Sequence, residues 1–446
     1  MPHIEALSHP KHQLTSGSSG QLEAAAYLAR SASKRRNTMT NNLFVDCHCH
    51  LFNIVDIPLY ATLQGKVEMG TLKRLVGSFA VGGALLAGVG DNILEGKEEF
   101  IRFFERSIED NIKWLSLQVR NTAPDKNILM TPLVMDFDPV HQVSDSSLNE
   151  PTVEDQLNRL LTAIHNTKNS CHNVSFCPFI GFDLRKLDEP KEKIGLLKMQ
   201  ELWKTYGTTS KERSTEPLKS GSVFGIKLYP PIGFNPNPLE NDKKKRYIEF
   251  YEWCCKENIP LTTHCQGASG SFSVGKKSRV VNKITHGKNW WHLFETNPEI
   301  KNLRINFAHF GGEEGIEDLI DWLGVDKDSW TFYLIKLLKK FPNTYADISA
   351  YDFSDSDACE NLIKLLEKDA EGSFNEEGKY ELSGKLLWGS DVPMVISSNA
   401  YRKGGSKNGI SEYKHLYRKF EETVSISKKM TSDNPSAFLT LSEKKK

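Results

Sequence analysis

Short runs of apolar residues recur along the whole chain, and turn residues and then a longer amphipathic stretch follow most of them. Runs of this length predict buried strands, and their alternation with helix-length stretches predicts parallel βα units. The predicted strands are Leu43–Cys47, Leu129–Met135, Phe176–Phe182, Val223–Leu228, Ile259–Thr263, Leu303–Ala308, Thr344–Ser349 and Lys385–Gly389. Eight such units favour a closed (β/α)8 barrel, or TIM barrel, of the α/β class over an open doubly wound sheet.

Helical periodicity occupies most of the intervals between these strands. The candidates are Thr152–Asn166, Lys191–Tyr206, Asn241–Glu257, Glu314–Leu323, Ser329–Lys340 and Ser356–Asp369. The first interval is the longest, and it predicts a helical insertion at about residues 53–126, with a helix near Lys97–Leu117. The apolar run Leu75–Leu94 in this insertion is broken by glycines and polar residues, so it falls short of a membrane span. We expect a buried Gly/Ala-rich helix or a pocket-covering segment, with a membrane-touching element as the alternative.

Both ends of the chain differ from the repeating part. Residues 1–38 are rich in Ser, Ala and Gly with little apolar periodicity, which predicts a flexible tail ahead of a barrel domain at 39–446. After the eighth strand, Ser411–Lys429 resembles a charged outer helix. A terminal helix should then run to Leu441, with Ser432 or Asp433 as its cap and Pro435 in its first turn.

Composition narrows the classes of function. The 446 residues carry 57 basic and 57 acidic side chains, and this balance gives no reason to expect a nucleic acid partner. Eight cysteines without CxxC spacing favour a reducing, cytoplasmic location over a disulfide scaffold. No glycine-rich phosphate loop is present, which argues against a nucleotide enzyme. We expect a small-molecule substrate and no membrane partner, and a homo-oligomer stays open.

Polar side chains stand where the predicted strands end. His48 and His50 close the first strand, and their i, i+2 spacing places both imidazoles on one face. Four more residues end later strands: Lys227 the fourth, His264 the fifth, His309 the sixth and Asp391 the eighth. Catalytic groups of a (β/α)8 barrel lie at the carboxyl ends of its strands. Each residue alone has a structural alternative, such as a core histidine or a turn-capping aspartate, but together they predict a metal centre.

The sequence resembles the amidohydrolase superfamily, and within it the group of aminocarboxymuconate semialdehyde decarboxylase-like enzymes. The motifs DCHCH, GIKLYPP, THC, FAHFGG and LWGSD carry the resemblance, and they cover residues 44–391 in the family's order. The resemblance implies that His48, His50, His264 and Asp391 bind a divalent metal. It also implies that His309 binds a second metal or activates water, and that Lys227 occupies the place of a carboxylated lysine that bridges two metals in some members.

The chemistry of the predicted ligand side chains also favours a metal centre. Neutral imidazoles and a carboxylate suit zinc or another first-row divalent ion, and such an ion lowers the pKa of bound water and polarises a carbonyl. Asp391 would accept the proton of that water, and His309 is the second catalytic candidate. Zinc is the ion we expect. Whether one ion binds or two stays open, because it depends on the state of Lys227.

The sequence indicates less about the substrate than about the metal centre. Arg185 after the third strand is a candidate carboxylate clamp, with a structural pair to Asp183 or Asp188 as the alternative, and Tyr229 is a candidate pocket wall. We predict a metal-dependent hydrolase in which activated water attacks a carbonyl carbon and cleaves a C–N or C–O bond of a small polar substrate. The alternatives are a metal-dependent decarboxylase of a small unsaturated carboxylic acid, and a non-catalytic metal-binding barrel.

Overall fold

Parallel strand segments form the centre of the molecule in the computed structural model. It describes residues 42–53, 56, 103–137, 152–188, 193–213, 220–267, 278–321, 329–351, 356–372, 381–393, 417–418, 420–422, 424 and 426–441. The strand segments are Leu43–Cys49 (β1), Asn127–Pro132 (β2), Val174–Phe176 (β3), Phe179–Gly181 (β4), Gly225–Leu228 (β5), Leu261–Gln266 (β6), Ile305–Gly311 (β7), Thr344–Asp347 (β8) and Leu386–Leu387 (β9).

These segments close into a barrel of eight strands. β1, β2 and β3 pair in one sheet, and β4 to β9 pair in order in another. Cys177 and Pro178 separate β3 from β4, which together make the third barrel strand, and a parallel bridge between Leu133 and Phe179 joins the two sheets. The other seam closes where Cys47 N donates to Trp388 O at 2.9 Å. The (β/α)8 barrel predicted from the sequence is therefore confirmed.

Helices follow the strands, as a parallel barrel requires. Their bounds are Ile108–Thr122, Val153–Thr167, Lys193–Tyr206, Asn241–Lys256, Ser278–Thr285, Gly287–Thr296, Glu313–Asp321, Trp330–Lys340 and Ser356–Glu371. Short 3-10 helices lie at Leu184–Leu187, Pro230–Ile232, Pro298–Ile300 and Leu382–Gly384. In the region of the helix predicted near Lys97–Leu117, residues 97–102 are not described, residues 103–105 are helical, and a separate helix begins at Ile108, where the Ser107 side chain caps it by accepting from Asp110 N.

Two predicted features lie outside the described residues: the tail at 1–38 and the apolar run at 75–94. Residues 411–416, 419, 423 and 425 of the predicted outer helix Ser411–Lys429 lie outside them as well. Within the described part, no helix is both long and apolar enough to cross a membrane.

The apolar core has an outer and an inner part. The outer part lies between strands and helices and contains residues such as Ile226, Phe307 and Trp388. The inner part is a separate cluster of buried side chains from the barrel strands and the chain's end. Its members are Leu43, Val45, Cys47, Leu129, Leu133, Cys177, Phe179, Phe224, Tyr345, Leu387, Phe438 and Leu439.

The C-terminal segment closes the amino end of the barrel. Phe438 is fully buried there, with its ring centroid 5.4 Å from that of Tyr345 at the start of β8. The predicted cap at Ser432 or Asp433 was wrong. A π-helical turn at Lys429–Asp433 runs directly into the helix Asn434–Phe438, so Asp433 already has helical backbone angles and its side chain makes no capping bond.

Candidate metal centre

An irregularity in β1 aims the first histidines into the barrel. Pairing of β1 with β2 shifts register between Asp46 and Cys49, and Asp46 Oδ1 accepts from His48 N at 3.0 Å. Without this bulge, strand alternation would place Cys47, which packs in the inner cluster, opposite His48. Burial raises the pKa of the Cys47 thiol well above its usual value, so it stays protonated.

Three ligand-type atoms converge at the carboxyl end of the barrel. Asp391 Oδ1 lies 3.4 Å from His48 Nε2 and 3.3 Å from His50 Nε2. The other nitrogen of His50, Nδ1, lies 2.9 Å from Leu133 O, and as its donor it leaves a lone pair on Nε2. All three side chains are buried, so this group can hold a metal ion.

A second pair of ring nitrogens lies beside the first group. His309 Nε2 is 3.1 Å from His264 Nδ1, and the His309 ring centroid is 4.8 Å from that of His48. Burial lowers the pKa of His264 well below its usual value, lowers that of His309, and lowers that of His48 to about 4. Neutral imidazole is the form that binds a metal, so all three rings are in the ligand form at neutral pH.

Asp347 and Ser349 surround these rings and were not identified from the sequence. Asp347 Oδ2 lies 3.1 Å from His48 Nδ1 and accepts from Asn306 Nδ2 at 2.6 Å. Its Oδ1 accepts from the Ser349 hydroxyl and from the backbone amides of His309 and Ser349, both at 3.1 Å. The available signal was an aspartate within an apolar strand, Tyr345-Ala346-Asp347-Ile348.

Two of the site residues have strained backbones. His309 has φ of 69° and Asp391 has φ of 52°, in the left-handed region that side chains with a Cβ rarely adopt. Such conformations cost about 1–3 kcal/mol each and persist where the surroundings enforce them. Their position at the ends of two barrel strands matches the usual placement of strain at functional sites.

Lys227 is buried in the same region. It is 2% exposed, and its Nζ makes no hydrogen bond or ion pair with any described residue. The centroid of the Tyr229 ring lies 6.0 Å from Nζ. Burial lowers the pKa of Lys227 to about 8, against the opposing effect of Asp347 and Asp391. A larger share of neutral amine is therefore present near neutral pH than for an exposed lysine.

The two predicted substrate residues differ in their surroundings. The Tyr229 ring packs edge-on against His264 with 5.0 Å between centroids, so it borders the centre. Arg185 instead pairs with Asp183, with its Nη2 2.5 Å and its Nε 3.0 Å from Oδ2. This pair is the structural alternative considered above. A carboxylate clamp by Arg185 would rest on the remaining Nη1.

The donor set fits a metal ion on its own chemistry. A carboxylate oxygen lies 3.3–3.4 Å from each of two imidazole nitrogens, and all three side chains are buried. The pKa of Asp391 is lowered to about 2, with burial opposing and nearby His48 and His50 favouring the charged form, so it is an anion at neutral pH. A buried anion between lone pairs is stabilised by a bound cation.

Comparisons with known proteins give structural neighbours only. No protein-family model and no curated protein sequence matches the chain. The 5-carboxyvanillate decarboxylase from Sphingomonas paucimobilis is similar at 10% identity and a TM-score of 0.44, over 90% of this chain and 100% of that one. The same enzyme from Novosphingobium aromaticivorans, complexed with manganese, is similar at 11% identity and a TM-score of 0.44, over 90% of this chain and 97% of that one.

An amidohydrolase from Mycobacterium avium subsp. paratuberculosis is also similar, at 11% identity and a TM-score of 0.32, over 72% of each chain.

Proposed function

We propose that the chain is a metal-dependent hydrolase of the amidohydrolase type, which cleaves a C–N or C–O bond at a carbonyl of a small polar substrate. The observation that carries this proposal is the convergence of His48 Nε2 and His50 Nε2 on Asp391 Oδ1 at the carboxyl end of a (β/α)8 barrel. Catalytic groups of this fold occur at that end.

The residues that would hold the ion are His48, His50 and Asp391, with His264 and His309 beside them. Imidazole and carboxylate donors suit zinc, which we propose as the ion, and also other first-row divalent ions. When bound there, a divalent ion would lower the pKa of a water and polarise a carbonyl oxygen.

The chain's own residues supply the proton transfer and the pocket. Asp391 is ionised at neutral pH, so its carboxylate is the base that takes a proton from water and returns it to the leaving group. The buried rings of His264 and Tyr229 border the same space and would exclude bulk water from it. His309 is the second polar group that would orient the substrate carbonyl.

The state of Lys227 sets the number of ions. As a neutral amine it can add to carbon dioxide, which forms an N–C bond and releases one proton, and the product is an anionic carbamate. This anion would hold a second ion near His264 and His309, whereas an ammonium would repel it. The lowered pKa of Lys227 favours the neutral amine that this addition needs.

Decarboxylation of a small unsaturated acid is the second candidate. It is favoured by the same buried Lys227, because an ammonium without an ion pair among the described residues would be balanced by a substrate carboxylate. The pairing of Arg185 with Asp183 weighs against it, since a bidentate clamp for the carboxylate is then missing at that position.

Metal analysis and turnover test the proposal together. We expect the purified protein to contain at least one equivalent of a divalent metal, and Asp391→Asn and His264→Ala to lose both metal and activity. His292→Ala, a histidine on the outer helix Gly287–Thr296, is the matched control and should keep both. Metal retention by both site variants would place the centre elsewhere.

The choice of reaction needs its own assay. A panel of amides, lactones and small unsaturated acids, followed by proton release and by carbon dioxide release, separates hydrolysis from decarboxylation. A protein that binds the metal and turns over neither class would instead be the non-catalytic barrel.

A further inference from the structure

The Asp347 carboxylate is saturated by donors from its own chain. Oδ1 accepts from the backbone amides of His309 and Ser349 and from the Ser349 hydroxyl. Oδ2 accepts from Asn306 Nδ2 and lies 3.1 Å from His48 Nδ1. A carboxylate has about four lone-pair sites, so these contacts leave no oxygen to bind a metal. Asp347 therefore acts through its neighbours.

The hydroxyl group of Ser349 also has all of its hydrogen-bonding positions occupied. Its single proton points to Asp347 Oδ1, so Oγ can only accept from its other partners. These partners are His48 Nδ1 and His309 Nδ1, both 2.9 Å from Oγ. The Ser349 carbonyl oxygen also lies 3.2 Å from His309 Nδ1. Each Nδ1 thus faces only acceptors and must carry the proton of its ring.

We propose that Asp347 and Ser349 are positioning residues that fix His48 and His309 in the Nδ1–H tautomer, so that both rings present the Nε2 lone pair to the metal centre. This inference rests on the proposed metal function of the site. His48 Nε2 then faces Asp391 as a ligand, and His309 Nε2 faces His264. One serine hydroxyl sets two rings that lie 261 residues apart in sequence (309 − 48).

The tautomers are measured directly in the wild-type protein. Metal-free protein labelled with 15N-histidine gives distinct nitrogen shifts for protonated and unprotonated ring positions, and His48→Gln and His309→Gln assign the two signals. We expect both rings as neutral Nδ1–H species. A His48 or His309 protonated at Nε2 would overturn the proposal, and this test needs no variant at Asp347 or Ser349.

Asp347→Asn tests the cause. Its amide has one acceptor oxygen, and the three donors around Oδ1 would claim it, which leaves the NH2 group facing two other donors, Asn306 Nδ2 and His48 Nδ1. The clash is relieved when His48 moves its proton to Nε2. We expect that shift in the 15N spectrum, and about 10- to 100-fold weaker binding of zinc or manganese(II) by chelator competition.

Two further variants make the outcome decisive. Ser349→Ala keeps the Asp347 contact to His48, so we expect a smaller loss of metal affinity and an unchanged His48 tautomer. Asp369→Asn removes another buried carboxylate, which accepts from Leu382 N away from the centre, and should bind metal as the wild type does.

Two results would overturn the assignment. The first is that Asp347→Asn matches Asp369→Asn in both readouts. The second is that Asp347→Asn loses one equivalent of metal with His48 still protonated at Nδ1, which would make Asp347 a ligand. Failure of the proposed function is distinguishable, because it would show as intact tautomers and metal binding without turnover.

Discussion

At the scale of single residues, the space around His48 is as tightly specified as its hydrogen bonds. A Cβ added at Gly389 would lie 2.6 Å from His48 Cβ and 3.1 Å from Ser349 Cβ. Real Cβ atoms do not approach this closely, so the strand must shift and the His48 ring must move with it. The absence of a Cβ at Gly389 therefore helps to fix the position of the His48 ring.

We expect Gly389→Ala to lower activity about 100-fold, because displacement of a reacting group by about 1 Å has an effect of that order. Metal affinity should fall with it, as measured by chelator competition. Gly384→Ala is the control, since an added Cβ there meets nothing within 4 Å. Equal activity of the two variants would contradict this account of Gly389.

The buried histidines predict acid sensitivity of the metal-free protein. The pKa of His48 is about 4 in the folded state, against about 6.5 when unfolded, so the unfolded chain binds more protons between these pH values. The free energy of unfolding therefore falls as the pH drops from about 6.5 to 4, by roughly 3 kcal/mol for this residue.

Urea unfolding of the metal-free protein at pH 7 and pH 5 measures this loss. His48→Gln removes the titrating group and should reduce the dependence of the unfolding free energy on pH. His292→Gln, at an exposed side chain, should leave that dependence unchanged. A pH-independent unfolding free energy in the wild type would contradict the assignment of His48 as a buried neutral ring.

At this scale the sequence identified His48, His50, His264, His309 and Asp391 because each ends a predicted strand. Asp347 was missed because it lies inside an apolar strand, and Ser349 was missed although it ends the predicted strand Thr344–Ser349, because the role of both residues depends on contacts across the barrel. The pair His48–Asp347 spans 299 residues of sequence, and no local pattern reports such a contact.

At the scale of elements, the guanidinium groups of Arg213 and Arg304 hold the last helix by hydrogen bonds. Arg213 is buried, and it donates from Nη1 to Leu439 O at 3.1 Å and from Nη2 to Asn258 O at 2.9 Å. Arg304 Nη1 donates to Ala437 O at 2.8 Å. The terminal carbonyls of the helix thus find their donors on barrel residues.

We expect Arg213→Met to lower the free energy of unfolding by about 2–4 kcal/mol, because the buried carbonyl of Leu439 and the half-buried carbonyl of Asn258 lose their donor. Burial and the nearby Arg304 lower the pKa of Arg213 to about 10, so it is charged at neutral pH and the loss should not depend on pH between 6 and 8. Arg304→Met, at a partly exposed site, should cost less in the same urea titration. The reverse order would contradict the role given to Arg213.

Element prediction was accurate where periodicity and boundary residues agreed. The helix predicted at Thr152–Asn166 is found at Val153–Thr167, and Thr152 forms a capping box with Asp155. The predicted strand Phe176–Phe182 instead breaks at Cys177 and Pro178, because proline has no amide proton for the ladder. The helices Ser278–Thr285 and Gly287–Thr296 were missed, since each is short and only a one-residue break separates them.

At the scale of the whole molecule, the barrel has a polar end and an apolar end. The ionisable cluster lies at the carboxyl ends of the strands, and the inner cluster around Phe438 fills the amino end. Stability and chemistry are therefore located in different parts of one barrel, as is usual for this fold.

Phe438→Ala separates the two ends experimentally. We expect a loss of about 3–5 kcal/mol in the free energy of unfolding, since the ring is fully buried against Phe179 and Tyr345. Metal affinity at 25 °C should be unchanged in the folded fraction. Leu239→Ala, at a side chain that is 89% exposed, is the control and should leave the stability unchanged. Weakened metal binding in Phe438→Ala would contradict the separation.

The ring of Phe438 also has a kinetic consequence. Because Phe438 and its neighbours in the inner cluster fill the amino end of the described barrel, substrate and product of the proposed reaction would share the route at the carboxyl end. A product molecule still in that route blocks the next substrate, so product inhibition should be competitive and turnover should slow as leaving groups become bulkier.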